Sequence, residues 1–200
     1  MLRVLASGVS AASGDICCTE LISANPLFTR EQNVITNLDQ KCNAEKRKIT
    51  SAISHELVHL WFGDLLTMQW WDELWLSEAF ASFLEFKGAE FAEPELELEA
   101  EFLNRYIHDS MEVDALENSH PILAEEAINN TGQIADLYDC ITSGKGASVL
   151  RMLERFMGKD DFKLGVQKFL DSYAFLTATT GECNVYYTVQ CCTVIYCTVL

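Results

Sequence analysis

Basic residues are scarce in this chain. Its 200 residues include 14 Lys and Arg against 30 Asp and Glu, a formal net charge of −16. Nucleic-acid binding needs clustered Lys and Arg, so that class of function is excluded. No CxxC pair occurs among the eight cysteines, which removes zinc-ribbon and thioredoxin readings. Cys17 and Cys18 are adjacent, as are Cys191 and Cys192, and Cys42 and Cys140 stand alone. That spacing specifies no disulfide framework. No stretch is long and apolar enough for a transmembrane helix. The opening MLRVLASGVSAASG is too rich in Ser and Gly for a signal-peptide core. Few segments alternate as strands do, and no internal repeat is found, so the chain reads as mainly α.

What is present is globular: 49% of residues are apolar, and all four tryptophans fall between Trp61 and Trp75. Three zones follow. Residues 1–43 are irregular. Residues 44–177 are mostly helical. Residues 178–200 form an apolar, cysteine-rich tail without charge after Glu182. That tail reads either as a sticky, aggregation-prone strand or as translated intron, since Gly181–Cys183 can be encoded by a splice-donor sequence. In the middle zone a buried helix is expected from Ala44 to Phe62, with Ile49, Ile53, Leu57, Leu60 and Trp61 as its stripe and Gly63 as its stop. A second helix is expected from Leu74 to about Lys87, with Gly88 ending it. Pro94 suits the first turn of a third, acidic helix. Its charge run, Glu93–Glu101, reads as a solvated face rather than a lure for cationic peptides. Asp160 is expected to cap the helix that follows Gly158. Asn129-Asn130-Thr131 fits a glycosylation acceptor if the chain is secreted.

Within the first helix, AISHELVHLWFGD (Ala52–Asp64) sets His55 and His59 four residues apart. They project from one face about a turn apart, where two imidazoles can share one zinc ion. Glu56 follows round the helix, close enough to hold a water without being a ligand. The alternative is a pair of core histidines. A catalytic zinc needs a third protein ligand. Asp64, Asp72, Glu73, Glu78 and Glu85 lie downstream. Asp64 falls beyond the helix stop, and Glu78 is the better choice because it lies inside the second helix. Glu78, Ser82 and Glu85 share a face there. Glu85 could accept a hydrogen bond from a ligand histidine, or could be a surface carboxylate.

HELVHLWFGDLLTMQWWDELWLSEAFASFLE (His55–Glu85) is similar to the zinc signature of the membrane alanyl aminopeptidase family, HExxH followed by eighteen residues and Glu. His59 and Glu78 stand at that spacing. The flanking WFG, WW and LWL match as well. ALENSHPI (Ala115–Ile122) and YDCITSGKGASVLRML (Tyr138–Leu153) resemble later family blocks in the right order. The likeness runs over about residues 45–180. The resemblance implies a helix-rich part of a thermolysin-like (gluzincin) catalytic domain. It implies one Zn²⁺ held by His55, His59 and Glu78, with Glu56 as general base, and peptide substrates cleaved at the N-terminus. The family has membrane-anchored and cytoplasmic members; Ala115–Ile122 resembles the ectoenzyme branch, which implies a membrane-associated or extracellular place over a cytoplasmic one.

Three departures qualify that expectation. The family's Gly-x-Met-Glu-Asn block, which grips the substrate α-amine, has no counterpart before the zinc helix, where only Glu20 and Glu31 are on offer. The family's ISYSKGA reads ITSGKGA, so Ser143 stands where a tyrosine would donate to the oxyanion. Tyr138, five residues earlier at a position usually aromatic in the family, is expected in the core rather than as a replacement for that tyrosine. The family's β-rich N-terminal and helical C-terminal domains lie outside the likeness. Within the signature, Ser77 and Ala79 replace a usual Asn and Gly. The readings are therefore a zinc aminopeptidase or a zinc-binding remnant with weak or no turnover. A related endopeptidase is disfavoured by the tryptophan-rich context.

Overall fold

The computed structural model describes residues 43–124 and 128–183. The irregular opening, with Glu20 and Glu31, and the tail beyond Cys183 lie outside the described residues. Helix α1 spans Asn43–His59, strand β1 Thr67–Met68 and helix α2 Leu74–Ala92. Then come α3 (Glu99–Phe102), a π-helical stretch (Leu103–His108) and α4 (Asp109–Asp114). Helix α5 is Thr131–Asp136, and a second π-helical stretch, Ile141–Lys145, runs into α6, Gly146–Met157. Helix α7 (Lys159–Tyr173) and β2 (Thr177–Ala178) complete the described chain. The two short strands pair in parallel, Thr67 opposite Thr177 and Met68 opposite Ala178.

Helix α2 is the centre of the core. Thirteen of its nineteen residues are buried, so it is apolar nearly all round, as a helix packed on several sides must be. Helix α1 lies along it on one side and α6 on another. Gly146, at the start of α6, allows that second contact. A Cβ there would sit 2.7 Å from the Cβ of Ala79, closer than two carbons can come without a shift of backbone. The rings of Phe62 and Phe80 stack with centroids 4.1 Å apart. Trp75 Nε1 donates to Thr180 Oγ1 at 2.8 Å, and Thr180 N donates to Glu73 at 3.0 Å. Thr177–Cys183 thus packs on the helical body, and Cys183 is buried.

Four boundaries differ from expectation. Helix α1 stops at His59; Leu60 and Trp61 continue as turns and Phe62 bridges to Leu66. At Gly63 the backbone takes φ +137°, where a Cβ would lie 3.2 Å from the His59 carbonyl. In α1 the buried residues are Ser51, Ser54, Leu57 and Val58, while Ile49 and Ile53 are half-buried. Helix α2 passes through Gly88, which is buried, and stops only before Pro94. A helical glycine costs about 1 kcal/mol, less than the packing of this helix supplies. Proline disfavours helical geometry in the residue before it, and Glu93 is accordingly non-helical. Pro94 opens a single 3₁₀ turn rather than a long acidic helix, and α3 begins after Glu97, whose φ is +48°. Gly158, not Asp160, sits at the cap of α7. Asp160 lies in its first turn, where its charge still suits the helix N-terminus.

Candidate metal centre

Helix α1 carries His55 and His59 on one face, and α2 crosses in front of it carrying Glu78, Ser82 and Glu85. The small residues Ser51 and Ser54 on α1 and Ala81 and Ser82 on α2 are all buried, which lets the two helices approach closely. The result is a convergence of three side chains. His55 Nε2 and His59 Nε2 are 3.1 Å apart. Glu78 places Oε2 3.7 Å from His55 Nε2 and Oε1 3.7 Å from His59 Nε2. One donor atom from each residue lies within 4.8 Å of the others.

The far nitrogens determine the chemistry of the near ones. His55 Nδ1 is 2.8 Å from Glu85 Oε2. His59 Nδ1 is 3.0 Å from the Phe62 carbonyl and 3.1 Å from Ser77 Oγ. Ser77 Oγ itself donates to that carbonyl at 2.6 Å, leaving its lone pairs to accept. Each Nδ1 therefore faces acceptors and carries the proton, and each Nε2 presents a lone pair. Two lone pairs 3.1 Å apart repel unless something positive lies between them. A carboxylate 3.7 Å from both adds to the demand.

The same demand governs His55 in the metal-free protein. Burial acts to lower its pKa. Hydrogen bonds to Glu78 and Glu85, with the charges of both carboxylates, outweigh burial and raise it to about 9. Glu85 is not the surface carboxylate that the sequence left open. It is 2% exposed, held between His55 and Arg105, whose Nη1 is 3.4 Å from Oε1. Arg105 was not anticipated; it reaches this face from the π-helical stretch 20 residues along the chain.

Glu56 borders the same cavity as His55, Glu78, Glu85 and Ser143, a cleft of about 540 Å³. Among the described residues its carboxylate has no hydrogen bond or ion pair. A second cavity of about 700 Å³ opens on the other side of the cluster, between His59, Trp70, Trp71 and Thr177. Of the other carboxylates considered, Asp64 is exposed and Glu73 is engaged with Thr180; neither joins the cluster, and nor does Asp72.

Ser143 lines the 540 Å³ cleft, but its hydroxyl donates to the Asp139 carbonyl at 2.6 Å. Tyr138 is a correction. It is not core: it is 56% exposed. It follows the end of α5, in a turn that leaves it bordering both cavities beside the cluster. Partial burial and the Glu78 charge push its phenol above the usual tyrosine range, so it stays protonated at neutral pH.

Residues 23–188 match the model of the peptidase family M1 domain. The chain is 41% identical over 147 residues to aminopeptidase N from Homo sapiens, 73% of this chain and 15% of that protein. It is 44% identical over 133 residues to aminopeptidase N from Oryctolagus cuniculus, 66% of this chain and 14% of that protein. It is 38% identical over 153 residues to glutamyl aminopeptidase from Bos taurus, 76% and 16%. The chain thus spans only about 15% of the length of these relatives. Matches of that extent make it a member of peptidase family M1, and the described residues a helix-rich part of that family's domain.

Proposed function

We propose that this chain is the metal-bearing part of a zinc aminopeptidase, with His55, His59 and Glu78 as the ligands of one Zn²⁺ and Glu56 as the general base. The observation that carries the reading is the pair of Nε2 lone pairs aimed at one point beside Glu78. Zinc ligated tetrahedrally at about 2.0–2.1 Å puts neighbouring donor atoms about 3.3–3.4 Å apart. The separations here, 3.1 Å and twice 3.7 Å, bracket that value, so the donor set fits. Two imidazoles and one carboxylate also leave a fourth position open, as hydrolytic zinc sites do.

When bound, zinc supplies acidification of a water and polarisation of the substrate carbonyl. The chain's own groups supply the rest. Glu56 takes a proton from the attacking water and returns it to the departing amine. Glu85 orients His55 through Nδ1, and Ser77 with the Phe62 carbonyl orients His59. The names of the relatives support peptides as substrates and cleavage at the N-terminus. Acidic composition supports the exclusion of nucleic acid. A place outside the cell belongs to the same proposal and rests on Ala115–Ile122. Among the described residues no helix is long and apolar enough to cross a membrane.

One experiment separates turnover from a binding remnant. The purified chain is assayed for zinc content and for aminoacyl-anilide cleavage with and without chelator. Chelator-sensitive cleavage supports the enzyme. Stoichiometric zinc without cleavage supports the second reading, a zinc-binding remnant. That reading is favoured by one observation in particular, the Ser143 hydroxyl committed to Asp139.

Two further outcomes are expected. With the His55 pKa near 9, the metal-free site holds a proton at pH 7.5, and zinc must displace it. Titration calorimetry in two buffers of different ionisation enthalpy should show release of about one proton per zinc. Because His55 is charged below its pKa and neutral above it, zinc affinity should rise about tenfold per pH unit up to about pH 9. Zinc uptake with no proton release would contradict a charged His55 in the metal-free protein. Separately, Glu85→Gln should weaken zinc affinity about 10–100-fold while the helical circular dichroism is kept. An unchanged affinity would mean that Glu85 does not orient His55.

A further inference from the structure

We infer that Tyr138 is the substrate-facing hydrogen-bond donor of this cleft, its phenol donating to the carbonyl oxygen of a peptide held at the His55, His59 and Glu78 cluster. The inference rests on the zinc peptidase reading above and assigns that site a residue the signature does not contain.

Among the described residues, Glu78 and Tyr138 are the two that border both the 540 Å³ and the 700 Å³ cavities. Tyr138 therefore stands where the cavities meet, across from the metal cluster. A peptide extended from one cavity into the other passes between them. The phenol is available: it is exposed, and among the described residues its hydroxyl has no partner. The other hydroxyls of the 540 Å³ cleft, and that of Ser77 beside the cluster, are committed or enclosed. Ser143 Oγ donates to the Asp139 carbonyl and Ser77 Oγ to the Phe62 carbonyl. The hydroxyls of Ser82 and Thr142 are buried at 1% exposure.

The backbone that carries the ring is held firmly although the ring is exposed. Asp139, the next residue, accepts from the amides of Ile141 and Thr142 at 2.9 Å each. Its other oxygen is 2.8 Å from His120 Nε2. A phenol carried on such a backbone starts close to the cluster, and only its side chain must settle when negative charge grows on a carbonyl oxygen. A donor that strengthens only as that charge grows accelerates turnover rather than merely tightening binding.

The test uses the zinc-loaded 200-residue chain and two alanyl ligands: a dipeptide, and its analogue with a phosphinate in place of the scissile amide. The phosphinate is tetrahedral and anionic and mimics the charge-bearing state. Calorimetry on Tyr138→Phe should show about 10–100-fold weaker phosphinate binding, little change for the dipeptide, and unchanged zinc content. Ser143→Ala should bind the phosphinate as the parent chain does. The assignment is overturned if Tyr138→Phe binds the phosphinate undiminished, if Ser143→Ala loses as much, or if the zinc-loaded parent has no affinity for it. If the parent chain holds no zinc, the peptidase reading itself fails, and the assignment fails with it.

Discussion

Glu56→Gln is expected to leave zinc in place and to cut peptide hydrolysis by about 10²–10⁴-fold, the usual contribution of a positioned general base. Glutamine matches glutamate in shape and keeps an oxygen that can hold a water, but it cannot accept a proton. Glu56 is not among the three residues whose donor atoms converge, so the metal should be retained. It borders the same cavity as His55 and Glu78, and among the described residues no cation or donor engages its carboxylate. A base tied into a salt bridge would have to break it before each turnover; this one does not. The check is chelator-sensitive aminoacyl-anilide cleavage by parent and variant at matched zinc content. Equal rates in the two would remove Glu56 from the proton-transfer role. If Tyr138 is the oxyanion donor as well, Tyr138→Phe should lower the same rate without moving zinc content, and the two losses should add less than independently, because both act on one step.

The placement of this cluster was largely legible in the residues, because it rests on local geometry and one fixed spacing. His55 and His59 share a helix face by the period of the helix alone. Glu78 meets them because Gly63 ends the first helix and a connection shorter than fifteen residues brings the second one back across it. What was less legible depends on what packs around each residue. Gly88 looks like a helix stop until the burial of α2 is known, since packing outweighs a glycine's propensity. Pro94 proved the truer boundary, because its ring acts on the preceding residue whatever surrounds it. Glu85 could have been a surface carboxylate; His55 at 2.8 Å and Arg105 at 3.4 Å, the latter from a distant π-helical stretch, together hold it buried. Tyr138 was the clearest miss. An aromatic residue at a usually aromatic position of a family block suggests core, but no periodicity governs the turn after α5, so its direction could not be read from the chain. Ser77 is the converse case. It looked like a mild substitution, yet its hydroxyl joins the Phe62 carbonyl in facing His59 Nδ1.

Glu78→Ala should weaken zinc binding by more than about 100-fold, beyond the 10–100-fold typical of residues that only orient a ligand. The reasoning is electrostatic as much as coordinative. Glu78 is the one carboxylate 3.7 Å from both Nε2 atoms. Without it, two neutral imidazoles would have to hold a dication alone. The fold should survive, because the side chain of Glu78 is 14% exposed and its loss opens a cleft wall rather than a sealed core cavity. A second readout separates lost ligation from lost structure. Glu78 is one of two carboxylates that raise the His55 pKa against the opposing effect of burial. Its removal should therefore bring that pKa down from about 9 in the metal-free protein, with Glu85 still holding it partly up. Histidine resonances followed by NMR across pH, together with zinc titration, measure both effects. Loss of zinc with a lowered His55 pKa and intact helical signal is the expected result. Zinc affinity unchanged by Glu78→Ala would show that the third ligand is another residue, and the proposed centre would have to be rebuilt around it.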